Sequence, residues 1–456
     1  MRVAGPCALF LILVSIYGYY FFSIGVSDLA AVSWSLSYFV GSLLLFLSYI
    51  DKNKILFLIN NVLWFKFCYV PAVILENNPD FASFGIDVSA GYFCASLYAM
   101  ACMVSLNFAF YFVSRYLCAV DKNRLFYNNI VHGQDFKWGL FGLAFFVFIS
   151  SVLYKVGNPV EVFSHRLIEN QGKGFLQIGG FIGYGLSFFF VYKYLLTKRK
   201  RFLLSGFLVA AVGGGYFALL GYRGGALYSL IIFIVLIFFS ADKRWGFAVF
   251  LPLFFLLINE VNWVTGAVRM IVSGYEGSFS ELYAWYKSQY LIPLAFNHYE
   301  LVSYLFESRG LQELFFGGWE TVWSSYTNWI PRSLVPDKGL TSGPMIGLEV
   351  LPDIVTSEGR TSSLTTGVVF ESIYNFGAVG GLIFVFLFYS LFSYFLRAFK
   401  VDSFPRMYLY VLCSWVFGFS IYFDDLGGAI NKVVLILVGY FILLALSKVL
   451  KRVSFG

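Results

Sequence analysis

A set of cations stands out by position: Arg166 and Lys173 in "SHRLIENQGKGF", Arg223 in "GYRGGALYSL", then Arg269, Arg309, Arg332, Lys338 and Arg360. All fall in or beside the polar segments on one side of an otherwise apolar chain. Arginine carries a rigid, permanently charged fork that matches phosphate oxygens two at a time, so such a group suggests a phosphorylated or otherwise anionic lipid ligand. Each could instead pair with a nearby carboxylate. Arg223 is hardest to dismiss that way, because glycines flank it, almost no loop separates the apolar runs around it, and an unpaired arginine near a bilayer is costly. Arg332 lies in "NWIPRSLVPDKG" (328–339), where Pro331 and Pro336 limit backbone freedom around the cation.

Proton transfer needs a base. The candidates are His298, Glu300 and Glu371 in "GVVFESIYNFG"; any of them must come within hydrogen-bond reach of an acceptor hydroxyl. Lys66 in "LWFKFCYV" falls mid-span, where an unpaired lysine costs roughly 2.5–3.5 kcal/mol, so it must face the bundle interior or a watery cavity. Asp424 and Asp425 read as a carboxylate pair in water at an outer turn. Trp319, Trp323, Tyr326 and Trp329 would either stack on sugar rings or form an interfacial aromatic belt. No HExxH or CxxC occurs and the histidines stand apart, so no metal site and no cofactor are expected. "AVGGGYFALLGYRGG" lacks the GK[ST] ending of a phosphate loop and reads as helix-packing glycine.

The elements that must position these residues are helices in a membrane. With 59% apolar and 12% charged residues, the 456-residue chain has too little charge to build a water-facing surface. Apolar runs long enough for a bilayer core of ~30 Å predict about 12 transmembrane helices, near 5–25, 29–50, 55–75, 90–113, 139–155, 176–196, 202–221, 224–240, 246–262, 367–396, 406–423 and 429–447. The formal charge of +7 is a topology signal rather than a nucleic-acid footprint. "DKNK" (51–54), "KRKR" (198–201) and "ADKR" (241–244) mark cytoplasmic joints, which places both termini in the cytoplasm. The six cysteines fall within or at the ends of apolar runs and read as small packing residues.

The expected organisation is a nine-span bundle over 1–262, a large outer loop over 263–366, and three further spans over 367–456. The loop's first part carries aromatic residues at helical spacing and predicts two amphipathic helices broken near Pro293. Its second part, with Pro331, Pro336, Pro344 and Pro352, reads as irregular ordered loop. The two halves of the chain do not match, which argues against a carrier built from two six-helix halves.

The order "GYRGGALYSL", "NWIPRSLVPDKG", "SSLTTGVVFESIYNFGAVGG" resembles the O-antigen polymerase family, the Wzy-type oligosaccharide repeat-unit polymerases. The matching positions are Arg223-Gly224, then Ile330-Pro331-Arg332 with Pro336 and Lys338, then Tyr374 to Gly380. Val335 and Gly339 depart from the family pattern, which has Trp and Pro there. The resemblance implies an all-α integral membrane protein with a GT-C-like polymerase/ligase architecture, in the bacterial inner membrane. It implies glycosyl transfer on the periplasmic face, moving a glycan from undecaprenyl diphosphate onto another carrier-bound oligosaccharide repeat unit; the first outer loop holds only Asp28 rather than paired carboxylates, so the transfer is expected to be metal-independent. Arg166, Arg223, Arg269, Arg332, Lys338 and Arg360 would then bind the diphosphate, and Arg223, Arg332, Glu371 and His298 would serve catalysis. Membrane lipids, a flippase and a chain-length regulator are the implied partners, and nucleic acid is not. The alternatives are an O-antigen ligase, with His298 on the acceptor side, and a lipid-linked oligosaccharide flippase or other transporter.

Overall fold

A computed structural model describes residues 11–20, 29–51, 54–77, 88–117, 177–219, 260, 263–264, 266–268, 270–271, 276–289, 298–313, 320–330, 334–335, 339–350, 366–399, 404–418, 420–422 and 424–453. Their regular structure is all helical: α1 Leu11–Tyr20, α2 Leu29–Ile50, α3 Ile55–Glu76, α4 Ser89–Tyr116, α5 Gln177–Thr197, α6 Lys200–Leu219, α7 Phe279–Gln289, α8 His298–Glu313, α9 Glu320–Thr327, α10 Ser342–Val350, α11 Gly367–Ala398, α12 Phe404–Gly418 and α13 Leu426–Val453. Among the described residues, five helices are long and apolar enough to cross a membrane, in α2, α3, α4, α11 and α13. The spans expected at 139–155 and 224–240, and most of that at 246–262, lie outside the described residues.

The helices pack through small residues that let backbones approach. In α2, a Cβ at Gly41 would come within 2.8 Å of Cys68 Sγ on α3, so that buried cysteine fills a helix crossing, as the sequence suggests. The turn between α5 and α6 carries "KRKR" and is closed by Lys198 in the left-handed region, φ 55°. Ser187 Oγ then donates to the carbonyl of Gly206 across the pair, 2.9 Å.

The outer loop is more helical than its prolines predict. α7 opens with a capping box: Ser278 Oγ accepts from Glu281 N–H at 3.3 Å, and Ser278 N–H donates to Glu281 Oε2 at 2.8 Å. α8 caps the bundle rather than floating beside it, with Tyr299, Leu301, Val302 and Leu305 buried and Tyr299 stacked on Tyr92 at 5.3 Å. Within the second part, expected as irregular loop, Ser342–Val350 instead forms the helix α10, and 331–333, 336–338 and 351–365 lie outside the described residues. Pro344 sits in the first turn of α10, where its missing N–H has no intrahelical partner to lose.

α11 also departs from the single span expected at 367–396. Gly377 has φ 70° and ψ 178°, a conformation essentially reserved for glycine. After it the chain doubles back: a Cβ at Gly381 would fall 2.6 Å from the carbonyl oxygen of Ser372, although nine residues of straight helix would separate them by about 13 Å. Phe376 and Phe384 stack at 4.7 Å across the bend. The "NFGAVGG" stretch is therefore a helical hairpin, with a short limb at 367–376 and a long one at 378–398. Gly377 supplies the reversal and Gly381 the close approach.

Candidate functional site

The short limb of α11 dips back into the bundle. Tyr389, about 16 Å along the long limb from the bend, bonds through its hydroxyl to that of Tyr422, while the backbone of Tyr422 lies against Gly367 at the foot of the short limb. Gly367 N–H donates to the Asp424 carbonyl at 3.0 Å. A side chain at Gly367 is excluded twice, by φ 69° and by a Cβ position 2.8 Å from His298 Cδ2 and 2.9 Å from the Tyr422 carbonyl. The foot of the hairpin, the start of α8 and the α12–α13 connection thus meet at one buried point.

Lys66 reaches that point from α3. It lies in a π-helical turn, Phe65–Tyr69, the kind of local bulge that redirects side chains at functional sites. Its ammonium lies 3.0 Å from His298 Nε2 and 3.2 Å from Nδ1 and donates to the Tyr422 carbonyl. Both Lys66 and His298 are buried. Two residues beyond Tyr422, Asp424 accepts from Lys432 and, at 2.6 Å, from Ser420 Oγ. Asp424 is thus in an ion pair, not a carboxylate merely in water, which corrects that expectation.

Glu371, one turn up the short limb, is the hub of a second cluster. Its carboxylate accepts from Ser342 Oγ, from Thr366 Oγ1 at 3.1 Å, from Leu426 N–H at 3.0 Å and from Asn375 Nδ2 at 2.6 Å. Thr321 of α9 donates to Asn375 Oδ1. Three helix starts, those of α10, α11 and α13, are therefore tied to one acidic side chain, as their positive dipole ends favour. Asp425 caps α13, accepting from Gly428 N–H at 2.6 Å and from Thr341. Burial raises its carboxyl pKa, and the bonds from Thr341 and Gly428 oppose the rise.

On the far side of the hairpin, the Arg309 guanidinium stacks 4.5 Å over the ring of Tyr374. Tyr304 donates to Glu349 at 2.9 Å, and burial with that carboxylate pushes its hydroxyl up to about 12.

Of the residues singled out by sequence, His298 and Glu371 are brought to neighbouring clusters, and Glu300 is buried in the first turn of α8. Arg166, Arg223, Arg269, Arg332, Lys338 and Arg360 lie outside the described residues. Sequence reasoning missed the roles of Asn375, Thr321, Ser342 and Thr341. The Glu371–Asn375 spacing of one helical turn was the available signal. Chemically, a buried lysine and imidazole lie in hydrogen-bond contact, with the Glu371 cluster one turn along the short limb from Gly367, and such titratable groups can move protons. Comparison of the chain with protein-family models, with curated proteins and with solved structures finds no match.

Proposed function

We propose that this protein is a glycosyltransferase that polymerises undecaprenyl-diphosphate-linked oligosaccharide repeat units on the periplasmic face of the bacterial inner membrane, without a metal. The observation that carries this reading is the buried Lys66–His298 contact, which lies against Gly367 at the foot of the α11 hairpin, and that hairpin contains the "ESIYNFG" stretch on which the resemblance rests. The Lys66 amino group and the His298 imidazole are two titratable groups in hydrogen-bond contact, a pair able to relay the proton of an acceptor hydroxyl as a diphosphate leaves. In this reading Arg166, Arg223, Arg269, Arg332, Lys338 and Arg360 hold that diphosphate. The full complement of about 12 spans, the GT-C-like architecture and the cytoplasmic termini belong to the same proposal.

The test is chain growth by the purified protein in detergent, given lipid-linked repeat units and no divalent cation. Longer lipid-linked products are expected, and their absence overturns the proposal. The position of His298 equally favours an O-antigen ligase, with the imidazole activating an acceptor on the lipid core. A gel of surface polysaccharide from a deletion strain separates the two: loss of a polymerase leaves core plus one repeat unit, and loss of a ligase leaves bare core.

A further inference from the structure

α9 is built inside out. The face it turns to the protein consists mostly of small hydroxyl residues, with Thr321, Ser324, Ser325 and Thr327 all buried, while Trp323 is 68% and Tyr326 59% exposed. Trp329, in the turn that follows, is 49% exposed, and Leu334 beyond it is exposed as well. The inward hydroxyls are satisfied within the protein: Thr321 donates to Asn375, Ser325 to the Thr321 carbonyl at 2.6 Å, and Thr327 to the Trp323 carbonyl at 3.0 Å. A helix in water shows the opposite pattern, so the outward face of α9 meets something other than water.

Its neighbour indicates what that is. α9 rests on the first turn of α13, where a Cβ at Gly427 would lie 3.4 Å from Ser325 Cα. Val438 stands eleven residues, about three helical turns, below Gly427 and so shares its face of α13; Phe441 and Ile442 flank that line. All three are exposed apolar side chains on a membrane-crossing helix. α9 therefore covers the upper end of a wall whose lower end faces lipid, and its own outer face continues that wall. The side chains change along it in the sense a bilayer demands, from Val, Phe and Ile to Trp and Tyr, whose rings are apolar and whose edges bond to water and headgroups.

We infer that Trp323, Tyr326 and Trp329 form a lipid-contact ridge that seats α9 in the headgroup boundary of the bilayer leaflet at the loop end of the bundle. The ridge sets the depth from which the "IPR" segment starts, since Ile330 directly follows Trp329. This inference stands apart from the proposed transferase activity, because it needs only the bilayer.

The test places a nitroxide at position 323 or 326, through a genetically encoded keto amino acid, in the full chain reconstituted in vesicles of phosphatidylethanolamine and phosphatidylglycerol. Collision with oxygen, which concentrates in lipid, is compared with collision with a water-soluble nickel chelate. Labels at Phe441 and at exposed Glu281 give the lipid and water references. Expected is an oxygen-to-nickel ratio at 323 and 326 several-fold above that at 281, with a depth nearer the headgroups than that of 441. A ratio equal to that at 281 overturns the inference. So does low collision with both reagents, which would mean that another chain or a glycan covers the ridge.

Discussion

Lys66 Nζ lies 3.0 Å from His298 Nε2, although 232 residues separate them, and the same ammonium donates to the carbonyl of Tyr422. One side chain therefore joins the π-helical turn of α3, the start of α8 and the α12–α13 connection. If the pair acts as a unit in glycan transfer, Lys66→Met and His298→Ala each remove long chains, and the double variant is no worse than either alone. Chain length on gels, normalised to inserted protein, measures this. Multiplicative losses in the double variant would show that the two residues act independently. Lys66→Met also leaves the Tyr422 carbonyl without its donor, at a cost of about 1–3 kcal/mol, so thermal stability in detergent is followed alongside.

The reversal in α11 predicts an unusual pattern of glycine tolerance. At Gly377, ψ of 178° with φ of 70° lies outside the left-handed helical well, so Asn fails there as Ala does, each at about 1–3 kcal/mol. At Gly381 the obstacle is space: a Cβ meets both the Ser372 carbonyl and the Tyr98 hydroxyl. Gly381→Val is therefore expected to lower folded yield more than Gly381→Ala. By contrast Gly18, with nothing near its Cβ, accepts Ala without loss. Melting temperatures of the purified variants rank these effects, and an intact Gly377→Asn protein would refute the hairpin.

Much of the architecture is legible in the sequence, because membrane thickness imposes one length on every crossing element. The expected spans at 29–50, 55–75 and 90–113 coincide with α2, α3 and α4 to within a few residues. The α11 hairpin escaped that logic, since 367–396 is apolar throughout and hydropathy is blind to direction; the signal lay in the cluster of Gly377, Gly380 and Gly381. α9 and α10 were hidden by the prolines around them. The mid-span charge of Lys66 demanded a partner, but sequence offered no way to choose His298, because pairs distant in the chain depend on the packing of every helix between them. Asp425 reads as solvated because its partners are the hydroxyl of Thr341, distant in sequence, and the N–H of Gly428 in the first turn of α13.

Asp425 gives a pH signature. Burial raises its carboxyl in the folded protein, so the native state holds the proton more tightly than the unfolded chain does. The resulting stability is fully present below the unfolded carboxylate value of about 3.9 and is lost as pH rises through the higher native value. Asp425→Asn keeps an acceptor for Gly428 N–H and removes the titration. The melting temperature of the wild type should therefore fall more than that of Asp425→Asn as pH rises from about 4. Asp425→Ala loses the cap of α13 at every pH, about 1 kcal/mol. Parallel wild-type and Asp425→Asn curves would show that the carboxyl is not raised.

The cations outside the described residues carry the last prediction. If arginines take the place of a divalent ion in neutralising the leaving diphosphate, Arg223→Ala and Arg332→Ala each abolish the long-chain ladder while the protein inserts at its normal level. Arg332→Lys restores charge without the bidentate fork, so it should recover only part of the chain growth. On the same reading EDTA leaves the wild-type reaction unchanged. In-vitro product length with each variant, with and without chelator, reads all three effects. Unchanged chain length in the alanine variants would sink the diphosphate assignment, and inhibition by EDTA reversed by magnesium would return the neutralising role to a cation.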